Sequence, residues 1–291
     1  MLYDEIIRRE PVDKGWSGDQ KYHVWTTNRS EYLLRVSPAE KAQRREAEFR
    51  RMEAVAARGV PMCDPVEFSV QEEGACTILR WIDGRDAEEV IPTLPEAAQY
   101  QYGLDAGRIL AKIHSIPAPA DVHDWEEYFN HKIDRKLAGY HGCPLRYDGG
   151  EYFEMYLAEN RQLLKKRPQC YQHGDYHIGN MLIDHTGVLT VIDFDRDDWG
   201  DPFEEFNRIV WCAQAAPRFA CGMVDGYFGG NVPEDFWRLL ALYISSNALS
   251  ALPWAVSFGE KEISVMRQQA SEILFWYDNM TRIIPRWYTK D

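Results

Sequence analysis

The sequence predicts an α+β fold with a β-rich front and a mostly helical back. Three observations carry this. Short β-branched and aromatic runs recur through the first eighty residues, around one punctuated helix. From Ile82-Asp83-Gly84 onward helical periodicity dominates. A lone hairpin pattern near 181–193 interrupts the helical half. Strands gathered before helices, rather than alternating with them, point away from a doubly wound sheet. The expected division is 1–82 and 83–291, with a short hinge at 80–84 and a ligand site at the junction.

In order along the chain, 20–27 and 31–36 read as strands separated by Thr27-Asn28-Arg29-Ser30. A helix over 39–57 is expected next, with Ser37 as N-cap, Pro38 at N1 and Glu40 completing a capping box. Its apolar stripe is Phe49, Met52 and Ala56, and it stops at Gly59 before Pro61. Val66–Val70 and Cys76–Trp81 follow as strands. The strongest helix spans 96–115, and further helices are expected at 150–166, 203–215, 234–250 and 260–281. Leu239–Phe258 has the length of a membrane span, but Ser245, Ser246, Asn247, Ser250, Pro253 and Ser257 make it a buried helix ending near Pro253.

The 291 residues are 45% hydrophobic and 27% charged, which excludes a disordered or fibrous chain. A net charge of −13 repels phosphate backbones, so nucleic acid and anionic membrane are excluded as partners and small cationic molecules are favoured. Six cysteines at 63, 76, 143, 170, 212 and 221 form no C-x-x-C, so reduced thiols in a cytosol are expected. The acidic N-terminus shows no signal peptide pattern, and a cytoplasmic location follows.

The chemistry concentrates in His173-Gly174-Asp175-Tyr176-His177-Ile178-Gly179-Asn180 and the hairpin after it. Met181–Ile183 and Val188–Ile192 flank a tight Thr-Gly loop and should pair antiparallel, returning Asp193 beside Asn180. An amide and a carboxylate then face one point, and Mg²⁺ takes such hard oxygen ligands while sharing others with substrate phosphates. Asp175 lies five residues before Asn180, on the loop into the hairpin. A carboxylate there accepts the proton of a hydroxyl attacking a phosphoryl group. The same Asp-to-Asn step occurs in the kinase catalytic loop. His173 is expected to hold this loop through a buried hydrogen bond rather than to transfer protons.

H-G-D-x-x-x-x-N, then Ile192-Asp193-Phe194-Asp195 and Gly200-Asp201-Pro202, resembles the aminoglycoside phosphotransferase family, with its choline, homoserine and methylthioribose kinase relatives. The resemblance covers about 12–285 and is most specific over 173–202. It implies a bilobal protein-kinase-like fold, Asp175 as catalytic base, and Asn180 and Asp193 as ligands of Mg²⁺, with ATP or GTP as co-substrate. It places a phosphate-gripping cation on strand 31–36, here Arg35 instead of lysine, with Lys21 as the other candidate. The partner acid is expected on the following helix, where the family pattern favours Glu46 over Glu48. Gly15, Ser17 and Gly18 form a turn over the phosphates, and the backbone at Arg80 and Ile82 meets the nucleobase.

Seven acidic residues lie between Asp193 and Glu205. Asp195, Asp198 and Glu204 are expected to attract a cationic acceptor, aminoglycosides being polycations, and Asp201 to brace the catalytic loop. Asp195 should share a face with Asp193 in an extended segment. Aromatic residues of the helical insert at 120–165 are candidates for the acceptor pocket. The function implied is γ-phosphoryl transfer to a hydroxyl of an aminoglycoside. A metabolic amine or sugar alcohol, or a nucleotide-binding module without turnover, are the other readings. No A-P-E follows Asp193, so a protein kinase activation segment is absent.

Overall fold

The computed structural model describes residues 1–13 and 18–289. β1 (Ile6–Pro11), β2 (Gln20–Thr26), β3 (Glu31–Ser37), α1 (Ala42–Ala56), β4 (Pro65–Gln71) and β5 (Gly74–Arg80) open the chain. The five strands form an antiparallel sheet in the order β1-β2-β3-β5-β4. Val24, Leu34, Val36, Cys76 and Ile78 form a core on one face, covered by Leu2, Tyr3 and Ile6. The other face carries the row Lys21, Arg35, Thr77 and Phe68, which the ladder sets directly opposite one another. α1 packs there, with the Phe49 and Phe68 rings 6.1 Å apart. β1 escapes the sequence reading because Ile7, Arg8, Arg9 and Glu10 are exposed on an edge strand, where no apolar alternation is required. The expected Ser37 cap is also not formed. Ser37 ends β3 and its hydroxyl accepts from Arg45 Nε at 2.9 Å, so α1 starts at Ala42 after a 3-10 turn.

β6 (Gly84–Asp86) and α2 (Ala87–Val90) follow, then α3 (Glu96–His114), α4 (Trp125–Gly142), α5 (Gly150–Asn160) and β7 (Cys170–Gln172). Next come β8 (Met181–Asp184), β9 (Leu189–Val191), β10 (Asp198–Gly200), α6 (Ile209–Ala215), α7 (Pro217–Phe228), α8 (Glu234–Val256) and α9 (Glu260–Trp276). β8 and β9 pair antiparallel as expected, and β6 joins β8 to make three strands. The 61–63 strap adds to β9: Val191 N–H donates to the Pro61 carbonyl at 2.9 Å and Cys63 N–H to the Val191 carbonyl at 3.3 Å.

Two compact units result, comprising residues 1–90, 173–175 and 179–197, and residues 91–172, 176–178 and 198 onward. The catalytic segment, assigned by sequence to the helical part, therefore packs mainly with the β-rich unit. Its hairpin is held there by β6 and by the strap, neither of which has a hydrophobic period long enough to read.

In the second unit α3 and α7 touch backbone to backbone. A Cβ on Gly107 would collide with the Met223 carbonyl, and one on Gly103 with the Phe219 carbonyl, while Gly222 and Gly226 make the reciprocal approach. α7 was not anticipated, although Pro217 at its first turn is a start signal. α8 is long and apolar enough to cross a membrane by length and composition, and 67% of its apolar window is buried inside the protein. It passes Pro253 and ends at Val256, because a proline in the last turn removes a single ladder bond while Leu252 and Ala255 stay buried.

Gly107→Val should lower unfolding free energy by about 3 kcal/mol or more, as overpacking against backbone that cannot yield. Gly139→Ala, in open space on α4, should raise it by about 0.5–1 kcal/mol. Urea titrations of both variants measure this; a neutral Gly107→Val would contradict the tight crossing.

Candidate active site

The catalytic segment is organised by one imidazole. His173 is fully buried and follows β7 directly. Its Nδ1 accepts from the Asp175 backbone N–H at 3.3 Å, so its Nε2 carries the proton and donates to the Ile192 carbonyl at 3.0 Å. One side chain thus ties the loop bearing Asp175 to the strand end bearing Asp193. Phe194 covers the ring at 4.5 Å. The loop turns at Gly174, with φ +83°, where a Cβ would strike the Arg196 carbonyl. Both the left-handed backbone and the close approach require glycine.

Asn180 closes the arrangement. Its Nδ2 donates to the Asp175 carbonyl at 2.9 Å, which fixes the orientation of the amide. Its carbonyl accepts from Ile192 N–H at 3.0 Å. Asp175, Asn180 and Asp193 are therefore brought together by hydrogen bonds within one unit. Asp193 itself has φ +67°, a left-handed conformation that aspartate tolerates better than most side chains. That turn ends the extended run, so Asp195 does not share its face through strand alternation as expected. The amide and carboxylate suit a hard divalent cation that draws its remaining ligands from phosphates. Among the described residues no group of three or more His, Cys, Asp or Glu is arranged to hold a metal alone. Arg196 Nη1 lies 3.6 Å from Asp175 Oδ2, placing an exposed cation beside the candidate base.

Arg35 projects from β3, but the expected Arg35–Glu46 pair is not formed. Glu46 is exposed and faces Arg50 at 3.8 Å on its own helix. Arg35 Nε donates to Asp19 Oδ2 at 2.6 Å, and the same guanidinium bonds Asp195. Arg45, buried on α1, donates to Asp195 at 2.6 Å, to Glu48 Oε2 and to Asp19. The helix carboxylate turned inward is Glu48, two residues and about 200° of helix beyond Glu46. Arg35, Arg45, Asp19, Asp195 and Glu48 thus belong to one network, which Arg44 extends at Glu48 and Lys41 at Asp19. Burial raises the Asp19 and Asp195 carboxyls, but Arg35 and Arg45 outweigh it and hold both below the ordinary value of 3.8. Lys21 sits directly opposite Arg35 in the ladder.

Sequence reading missed Arg45 and Asp19. A signal existed for Arg45: it continues the buried stripe Phe49, Met52 and Val55 one turn toward the N-terminus. Gly15 and Ser17 lie outside the described residues, and Gly18 stands in open space. Arg80 N–H donates to the Asp64 carbonyl at 2.8 Å and is already committed. Trp81 and Ile82 leave the strand ladder, with Trp81 stacked on His23 at 3.7 Å.

The acidic run is largely neutralised. Asp195 meets the two arginines, Asp197 is bonded by Arg51, and Glu204 Oε1 accepts from Lys132 at 3.1 Å. The expected roles of Asp195 and Glu204 as cation attractors are corrected accordingly: both are partly buried and paired. Asp198 alone of the three is exposed, accepting from Trp199 N–H at 2.8 Å. Asp201 is fully buried, clamped by Arg167 at 2.6 and 3.0 Å and by the Tyr243 hydroxyl at 2.7 Å. Its carbonyl accepts from Gln172 Nε2 at 2.9 Å, bracing the strand that leads into His173. A cavity of about 670 Å³ in the helical unit, lined by Arg146, Tyr152, Arg267 and Phe275 among others, contains none of these residues.

Residues 8–240 match the model of the phosphotransferase enzyme family. Among curated proteins none matches this sequence. A solved choline/ethanolamine kinase family protein from Mesorhizobium loti is 16% identical, with TM-score 0.68 over 95% of this chain and 91% of the other. A thermostable mutant of aminoglycoside phosphotransferase APH(4)-Ia is 15% identical, with TM-score 0.65 over 94% and 96%. APH(2")-IIa, solved with gentamicin, is 17% identical, with TM-score 0.63 over 92% and 91%. The fold is thus protein-kinase-like, as the sequence implies.

The depressed carboxyls give a pH prediction. Their contribution is complete above the unfolded value near 3.8 and is lost as pH falls through the lower folded values. Asp195→Asn should be less stable at neutral pH and lose stability less steeply between pH 5 and 2, about the range where such groups titrate. Acid unfolding followed by circular dichroism tests this; an unchanged acid slope would refute the network.

Proposed function

The chain belongs to the phosphotransferase enzyme family, and we propose that this small-molecule kinase uses Asp175 to accept the proton of an acceptor hydroxyl as it attacks the γ-phosphoryl group of ATP or GTP. The observation that carries the reading is the hydrogen-bonded ring of His173, Asp175, Asn180 and Ile192. It supports a reading in which a carboxylate base works beside an amide and a second carboxylate, the constellation phosphoryl transfer requires. Asn180 and Asp193 would hold Mg²⁺, which when bound neutralises charge on the phosphates.

Arg35, with Lys21 beside it, supplies the phosphate-gripping cation, and Arg45 is added to it. Asp19 and Asp195 keep both guanidiniums in place while Glu48 takes the part expected of Glu46. Trp81 and Ile82 offer hinge backbone to the base. Relatives solved with ADP, AMP-PNP and GDP are compatible with either nucleotide. The six buried cysteines form no disulfide among the described residues, which suits a cytosolic setting.

An aminoglycoside acceptor is supported by relatives solved with hygromycin B and gentamicin. One observation favours the second reading, a metabolite hydroxyl: the acidic run that would attract a polycation is spent on Arg35, Arg45, Arg51 and Lys132.

Asp175→Ala should reduce kcat by about 10²-fold or more, the scale of lost general base catalysis, while nucleotide affinity stays within about threefold. Asp193→Asn should instead weaken Mg-nucleotide binding. Release of ADP in an acceptor screen reads the first and calorimetric titration the second. Unchanged kcat in Asp175→Ala would falsify the base assignment. Failure of the unmodified enzyme to release ADP with any acceptor would favour a binding module.

A further inference from the structure

α4 carries an anomaly. Its buried stripe runs Trp125, Phe129, Ile133 and Tyr140, and the helical step between the last two falls on Lys136. Asp124 caps the helix by accepting from Glu127 N–H at 2.9 Å, so the register is set from its first turn. Lys136 is half-buried, yet it has no hydrogen bond or ion pair with any described residue. Lys132, one turn earlier on the same side, packs its ammonium over the Phe129 ring at 5.2 Å and bonds Glu204. Arg208 and Arg135 add their charge at Lys136, while Glu204 acts on it in the opposite sense and Asp198 acts on Lys132. Burial, followed by the charge of Lys132, brings the Lys136 ammonium down to about 7. A half-buried lysine in an apolar stripe, with three other cations acting on it, in a protein of net charge −13, lacks the direct ion pair that buried ammonium groups normally make.

We propose that Lys136 and Lys132, with Arg208, form an anion-recognition subsite that takes a carboxylate or phosphate group carried by the acceptor. The inference rests on the kinase reading above and deepens it: the acceptor is a hydroxyl compound with an anionic end, rather than a polycation. α4 belongs to the insert from which the acceptor pocket was expected. Glu204 is also within 3.4 Å of Gln172 Nε2, and Gln172 ends β7 three residues before Asp175. The cluster is thereby tied to β7 within the helical unit. Glu204 orients Lys132 and leaves Lys136 to meet the ligand. An arriving anion restores the proton that burial disfavours, so binding at neutral pH takes up a proton.

The full-length protein is titrated calorimetrically with sodium malonate and with inorganic phosphate, against sodium chloride of equal ionic strength. Two buffers of different ionisation enthalpy are used at pH 7. Saturable binding with uptake of about half a proton is expected. Lys136→Met, which suits the apolar stripe, should weaken binding about tenfold or more and abolish the uptake. Lys136→Arg should keep binding without uptake, and Lys165→Met, exposed elsewhere, should change neither. Absence of saturable binding, or equal affinity in Lys136→Met, overturns the subsite.

ADP release is then measured with hydroxy acids, sugar phosphates, neutral polyols and aminoglycosides. Preference for hydroxy acids identifies a carboxylate as the group bound, and preference for sugar phosphates a phosphate; either supports the subsite. Turnover confined to aminoglycosides or polyols overturns it and leaves the kinase reading standing. Anion binding in a protein that phosphorylates nothing overturns the kinase reading instead.

Discussion

The arrangement depends on a neutral imidazole used at both nitrogens. His173 has no solvent exposure, so its two hydrogen bonds meet no competition from water, and losing either would strand a buried polar atom. The direction of the bonds matters as much as their presence. Because Nδ1 must accept from Asp175 N–H, Nε2 must donate, and the acceptor it finds is the carbonyl immediately before Asp193. Protonation of the ring would turn Nδ1 into a donor facing a donor. The histidine of H-G-D is thus a clamp between two functional segments, and Gly174 supplies the backbone turn that lets it reach both.

A second constraint is electrostatic. In place of one lysine and one glutamate, a strand arginine and a helix arginine share Asp19 and Asp195, with Glu48 on the helix side. Buried charges are tolerated only when neutralised and hydrogen-bonded, and the forked guanidinium can serve two carboxylates at once. The network joins β3, α1 and the segment after β9, so both guanidiniums are oriented by carboxylates from other segments. The same logic governs the helical unit, where Asp201 is enclosed by Arg167, Tyr243 and Phe203 N–H. The acidic run that dominates the charge of this region is mostly internal wiring, and half-buried Lys136 stands out because it has no ion pair with any described residue.

Local patterns were legible because they need no distant partner. The spacing from Asp175 to Asn180, the hairpin β8–β9 and α3 all follow from a few neighbouring residues, and each is found where it was expected. Edge strand β1, with its outward charges, and the three-residue β6 are too short or too polar to show a period. Ser37 illustrates competition: it satisfies the local rule for a helix cap, yet Arg45 eight residues on claims its hydroxyl. Glu46 and Glu48 illustrate degeneracy, since the periodicity of α1 does not decide which of two acids on opposite sides turns inward.

What the sequence by itself determined was the order of elements and the identity and local spacing of Asp175, Asn180 and Asp193, since turn chemistry and short-range pairing act within a dozen residues. Only the tertiary structure decided which charges are spent on one another. Asp195 finds Arg35 across 160 positions, and Glu204 finds Lys132 across 72. No periodicity encodes such distances. They arise when packing removes water from these groups and leaves each charge dependent on whichever opposite charge the fold has brought within reach.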